Sequence, residues 1–294
     1  MSGKISSIIR IFLRIQRLAQ KDASIEFVRK LSKYTEKLYS IPKDVQHKKV
    51  IIGDIDCEWL IPKNVTSSKV LFHIHGGGFV LPLYEPERYT TAYLANITGA
   101  RALLINYRLA PEFPFPAALE DCVKAYRWLI NEENISPEQV IFTGESAGGN
   151  LVITTLLALR KSGFQLPIGA VAISPVMEFE GKGSFYTQKD PMVHPALAMR
   201  QISAYRGETD PHNPLLSPIY ADLSSLPPIL IQVGGDELFR SGAETFIETA
   251  KRSGGKTTLH IYHGMWHFWH LFIPILPEAK DAMEEINRFV SSCN

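Results

Sequence analysis

The apolar run Val140-Ile141-Phe142 leads into Gly144-Glu145-Ser146-Ala147-Gly148-Gly149, and a helical pattern opens at Ala147. This junction constrains the chain more than any other stretch. A strand that turns straight into a helix must round a sharp corner, and glycines at 144 and 148 let the two elements approach without a Cβ between them. Ser146 then sits exposed at the sheet edge, at a helix N-terminus whose partial positive charge favours an anion. In that context G-x-S-x-G marks an activated serine nucleophile, whereas a glycine-flanked serine elsewhere is an ordinary loop.

The rest of the chain supplies a sheet for that corner. Short apolar runs predict strands near 69–74, 101–106, 139–143, 168–173, 228–233 and 257–262. Helical patterns fall between most of them, at about 86–99, 116–131, 147–161 and 241–253, with a last one near 277–292. Runs such as Ala102-Leu103-Leu104-Ile105 suit strands buried on both faces, which implies a mostly parallel sheet covered by helices. Upstream, His47–Ile52 and Asp56–Ile61 read as a hairpin about Gly53-Asp54. Residues 1–45 carry two amphipathic helices, one with Ile5, Ile8, Ile9, Phe12, Ile15 and Ala19 at helical spacing. The other has Ile25, Val28, Leu31, Thr35 and Leu38 on one side and ends at Ile41-Pro42. Between 178 and 215, Gly181, Gly183, Pro191, Pro195, Pro211 and Pro214 punctuate a stretch without a clear strand. It reads as an excursion from the sheet, flanked by core segments at 46–177 and 216–294.

Charge and cysteine content narrow the function classes. The whole chain sums to +1, yet residues 1–50 hold twelve Lys/Arg against four Asp/Glu, a local balance of +8. Such an excess suits a solvated helical face, and it also leaves membrane-surface association through the basic N-terminal helix open. Arg10, Arg14 and Arg17 interrupt what would be the apolar core of a secretory signal. No apolar stretch approaches the roughly 20 residues of a membrane span. Cys57, Cys122 and Cys293 are odd in number and fit no metal spacing, which points to a reduced, cytoplasmic protein. Nothing in this pattern calls for a nucleic acid, and a homodimer stays open.

A serine nucleophile needs a base and donors for the oxyanion it creates. His75-Gly76-Gly77-Gly78 follows the run Val70–Ile74. The N–H groups of Gly77 and Gly78 are expected to form an oxyanion hole with that of Ala147. The base should come late in the chain, after the acid. His260, His263, His267 and His270 are the candidates, His267 foremost in Gly264-Met265-Trp266-His267-Phe268. His73 and His75 alternate on one strand face, and His263 and His267 are four apart, but a zinc site needs three or four converging ligands and no His-Glu-x-x-His helix is present. No metal or other cofactor is expected, and His73 reads as a core histidine.

His75–Gly78 and Gly144–Gly149, with Asn106-Tyr107-Arg108-Leu109-Ala110-Pro111-Glu112, Pro114-Phe115-Pro116-Ala117 and Leu226–Gly234, resemble the hormone-sensitive-lipase-like carboxylesterases. The resemblance runs from about 70 to 270. It implies an α/β-hydrolase fold with an eight-stranded sheet and a helical cap built from the N-terminal helices and the 178–215 insertion. It also implies a triad of Ser146, His267 and Asp236, the position matching the family's acid, with neighbouring Glu237 as the alternative. The residue before the nucleophile departs from the family's usual Asp or Thr: it is Glu145. The implied activity is hydrolysis of a short- to medium-chain carboxylic ester through an acyl-enzyme. Amide, lactone or formamide hydrolysis would use the same residues, and the fold also serves non-catalytic ligand receptors that lack the base.

Overall fold

Strand residues of period two divide between two apolar layers, and that division builds the molecule. In the computed structural model, Val70, Phe72 and Ile74 enter one buried cluster while Leu71 enters the other. Residues 2–35, 38–181 and 189–293 are described, with residues 2–4 and 35 as backbone only. Gly183 and the side chain of Thr35 therefore lie outside the described residues.

Eight strands form one sheet: β1 (Val45–Ile52), β2 (Ile55–Pro62), β3 (Val70–Ile74), β4 (Arg101–Ile105), β5 (Val140–Glu145), β6 (Gly169–Ile173), β7 (Ile229–Gly234) and β8 (Thr257–Tyr262). Their order is β1-β2-β4-β3-β5-β6-β7-β8. β1 and β2 form the hairpin expected about Gly53-Asp54, and β2 pairs antiparallel with β4. From β4 to β8 every pairing is parallel. The central strands β3 and β5 are buried along their whole length, their polar residues His73, Thr143 and Glu145 included. This is the α/β-hydrolase architecture that the resemblance implied.

Helices α3 (Glu85–Thr98), α4 (Ala117–Asn131), α5 (Ala147–Lys161), α7 (Arg240–Arg252) and α8 (Pro277–Ser292) cover the two faces. On one face, Phe72 stacks on Phe142 with centroids 4.8 Å apart, and Tyr126 of α4 meets both edge-on. On the other, α8 packs Ala282, Met283 and Ile286 into the cluster that holds Leu71, Ile141 and Val171.

Three more helices lie among the described residues: α1 (Ser2–Gln20), α2 (Ile25–Thr35) and α6 (Pro195–Arg206). α6 lies inside the proline-punctuated insertion. Pro195 does not break that helix but starts it, because a first-turn residue needs no N–H donor. The His194 side chain caps it, accepting from the Ala196 N–H at 3.1 Å. Side chains from α1 and α2 reach the core's loops: Arg17 Nε donates to the Val193 carbonyl at 3.1 Å, and Arg29 donates to the carbonyls of Val80 and Ala110. The loops that leave β3, β5, β6, β7 and β8 gather at one sheet edge, beyond the strands' carboxyl ends. Open parallel sheets bind ligands at that edge.

Candidate active site

Ser146 links β5 to α5 with φ 54° and ψ −114°, a conformation that L-residues rarely adopt. The corner is as tight as the glycines suggest. A Cβ on Gly144 would stand 2.6 Å from the Ile74 carbonyl oxygen, and one on Gly148 would collide with the carbonyls of Ile74 and His75. Ser146 is anchored by its own N–H, which donates to the Ile173 carbonyl at 2.8 Å.

His267 comes from the loop after β8, and its Nε2 lies 3.0 Å from Ser146 Oγ. The two residues are 121 positions apart in sequence, so the fold alone creates this pair. Backbone strain gathers around them. Among the described residues six non-glycine positions have positive φ, and four of these are Phe79, Ser146, Ser174 and Phe268, on the loops beside the pair. Each such position costs on the order of 1–3 kcal/mol and persists only where its surroundings enforce it. Here Ser174 Oγ accepts from the Phe268 N–H at 3.1 Å, tying the loop after β6 to the one that carries His267.

The glycine loop after β3 stands opposite. Gly77 and Gly78 have φ of 94° and 63°, which only glycine adopts without penalty. Within the loop's turn the Gly77 carbonyl accepts from Val80 and Leu81, so the turn is held without using the N–H groups of Gly77 or Gly78. Both glycines line the same cavity as Ser146 and His267. Ala147 is the first residue of α5, where N–H groups lack partners within the helix.

The two candidate acids sit in different surroundings. Asp236 Oδ2 is bound to Arg10 Nη2 of α1 at 2.7 Å, and its side chain keeps 28% of its surface exposed. No hydrogen bond joins it to His267, whose Nδ1 is buried without a partner. Glu237, the alternative, is fully enclosed. Its Oε2 accepts from Ser174 Oγ at 2.7 Å and from the Gly234 N–H at 2.6 Å, while its Oε1 is also buried and unpartnered. Burial pushes the Glu237 carboxyl well above the usual range and pulls the His267 imidazole down to about 3.

Behind the glycine loop lies a polar cluster that sequence reasoning missed. Glu145 Oε1 accepts from the Gly76 N–H at 2.8 Å, and its Oε2 lies 3.2 Å from His73 Nε2. His73 Nδ1 lies 2.9 Å from Thr143 Oγ1, and Glu87 of α3 hydrogen-bonds to Glu145. Burial raises both carboxyls; Glu145 beside it pushes Glu87 further up, while the hydrogen bond with Glu87 pulls Glu145 back down. Two buried carboxyls in contact hold one proton between them more readily than two charges. Among the described residues His73, Glu87 and Glu145 are the one group with metal-ligand atoms within 4.8 Å of one another. Within that group Glu145 is held by the Gly76 N–H, while Glu87 Oε2 is buried without a hydrogen-bond partner. The signal available beforehand was Glu145 itself, the departure from Asp or Thr: its carboxylate reaches the glycine loop after β3.

A model of the α/β-hydrolase fold family matches residues 71–271. An acetyl-hydrolase of Streptomyces hygroscopicus is 36% identical over 244 residues, covering 82% of this chain and 81% of the relative. An esterase of Acinetobacter venetianus is 31% identical over 236 residues, covering 79% and 78%. The crystal structure of an esterase from the bacterial hormone-sensitive lipase family superposes with a TM-score of 0.93 at 35% identity, covering 100% of this chain and 99% of that one. The chain belongs to the hormone-sensitive-lipase-like carboxylesterases. It is a carboxylic ester hydrolase.

The esterase carries a cavity of about 210 Å³ over Ser146. Leu13 of α1, Val28 of α2, and Leu197 and Ile202 of α6 form its outer wall, and Phe239 and Phe268 flank His267. Gln201 of α6 rests against Gly78, where any Cβ would meet its amide. The N-terminal helices are therefore part of the wall of the site.

Proposed function

We propose that the esterase hydrolyses short- to medium-chain carboxylic esters through an acyl-enzyme on Ser146, with His267 as base and Glu237, rather than Asp236, as the orienting acid. The contact of 3.0 Å between Ser146 Oγ and His267 Nε2, on a strained corner facing an apolar cavity, carries this reading. Neutral His267 takes the hydroxyl proton as Oγ attacks the ester carbonyl. The N–H groups of Gly77, Gly78 and Ala147 receive the oxyanion, and the imidazolium returns its proton to the leaving alcohol. Water then repeats the sequence to release the acid. A cavity of about 210 Å³ with mostly apolar walls favours a small acyl group over a long one.

Glu237 is preferred because two buried orphan atoms, its Oε1 and His267 Nδ1, each lack the partner the other supplies. Leaving such groups unpaired costs about 1–3 kcal/mol each. Asp236 is instead assigned to holding α1 through Arg10. Ser146→Ala and His267→Ala should each remove about 10⁴–10⁶ of turnover on a short-chain nitrophenyl ester. A folded Ser146→Ala protein with near-normal turnover overturns the proposal.

A further inference from the structure

Helix α1 is apolar on two sides, and only one of them is used by the fold. Ile9 and Leu13 are buried against the core. Ile8, Ile11, Phe12, Ile15 and Leu18, at helical spacing on another face, are between 56% and 74% exposed. On α2, Phe27, Leu31 and Tyr34 are exposed as well. Scattered exposed apolar residues are ordinary, but a continuous stripe of five on one helix marks a surface with an occupant.

The charge around the stripe selects that occupant. α1 contains no acidic residue, and α2 contains one, Glu26, paired with Lys30. The cations divide by task. Arg10 is bound to Asp236, and Arg29 is bound to Glu112 and two carbonyls. Arg14, Lys21 and Lys33 are exposed and make no ion pair among the described residues. A second copy of the same face would bring cations against cations. A surface of anionic headgroups over acyl chains meets both features, since apolar side chains enter the acyl boundary and cations stay with the phosphates.

We propose that α1 and α2 dock the esterase on an anionic lipid surface, lying in its plane. The geometry gives this docking a consequence. Leu13, Gln16 and Gln20 of α1 and Val28 of α2 line the cavity over Ser146, so the docked face backs directly onto the substrate wall. An ester dissolved in the lipid reaches the site without crossing bulk water.

The test is flotation of the full-length protein with vesicles of phosphatidylcholine, with and without phosphatidylglycerol. The protein is expected to float with the anionic vesicles and less so as salt rises, each exposed cation contributing about fivefold. The combined Ile8→Ser, Phe12→Ser and Ile15→Ser variant should lose at least about tenfold in partition while hydrolysing a dissolved nitrophenyl ester at the wild-type rate. That rate shows that the fold survives and separates docking from hydrolysis. Wild-type protein that stays off both vesicles, or binds both equally, overturns the proposal. So does a dimer in sedimentation equilibrium that the variant disperses, since it assigns the stripe to a second copy.

Discussion

Replacing Glu237 by Gln, beside Asp236→Asn as its companion, tests the division of labour between two adjacent acids. In the transition state His267 becomes an imidazolium with a buried Nδ1–H, and a carboxylate acceptor on that proton contributes about 1.5–3 kcal/mol. By itself that is a factor of about 10–10²; an amide can also present its NH₂ and force the wrong tautomer, which raises the loss towards 10⁴. Glu237→Gln should therefore lower kcat by about 10–10⁴, with KM little changed. Asp236→Asn removes an ion pair whose side chains are 18% and 28% exposed, which contributes at most about 1 kcal/mol, so turnover should fall less than about tenfold. The assay is initial-rate hydrolysis of a nitrophenyl ester across pH, with circular dichroism to show that both variants fold. A second readout separates orientation from bulk structure. A hydrogen bond that holds the Nδ1–H favours the imidazolium, so the acid limb of kcat/KM should move to lower pH in Glu237→Gln and stay in place in Asp236→Asn. A large loss in Asp236→Asn with a near-normal Glu237→Gln would refute the reasoning and return the acid to Asp236.

Gly148→Ala should abolish the folded enzyme or destabilise it by more than about 4 kcal/mol, because its Cβ meets two carbonyls of β3 and the loop after it; thermal unfolding measures this. Burial pulls His267 down to about 3, so loss of activity on acidification should begin below the ordinary imidazole value of about 6.5, and a limb above pH 7 contradicts this. Glu87 is raised by burial beside Glu145, so the folded protein keeps a proton that the unfolded chain releases near pH 4.5. Stability should consequently fall as pH rises from there through the folded value, and Glu87→Gln should flatten that decline in denaturant titrations while keeping activity. Glu87→Ala, which leaves Glu145 without its partner, should lose both stability and turnover.

Where the sequence pattern was local, it placed the fold well. The buried strands announced themselves as short apolar runs, and the hairpin about Gly53 and the elbow at Ser146 rest on turn chemistry readable within six residues. Helix α6 was hidden because Pro195 reads equally as a breaker and as a first-turn residue, and only its neighbour His194, acting as cap, settles the matter. The acid was ambiguous for a different reason. Asp236 and Glu237 are consecutive on one loop, so their side chains leave in different directions, and what each meets depends on Arg10 and Ser174, 226 and 63 residues away. His73 looked like an isolated core residue because its partners, Glu87 and Glu145, come from another helix and from the next strand over. Neighbours that only tertiary packing creates leave no periodic trace.

The central claim is that Ser146 Oγ is a nucleophile made reactive by His267. The most direct measurement is reaction with a fluorophosphonate followed by peptide mass spectrometry, on wild type and on His267→Ala. The account predicts a single adduct on the peptide bearing Ser146, formed orders of magnitude more slowly when the imidazole is removed. An adduct on any other residue, or labelling at the same rate without His267, contradicts it.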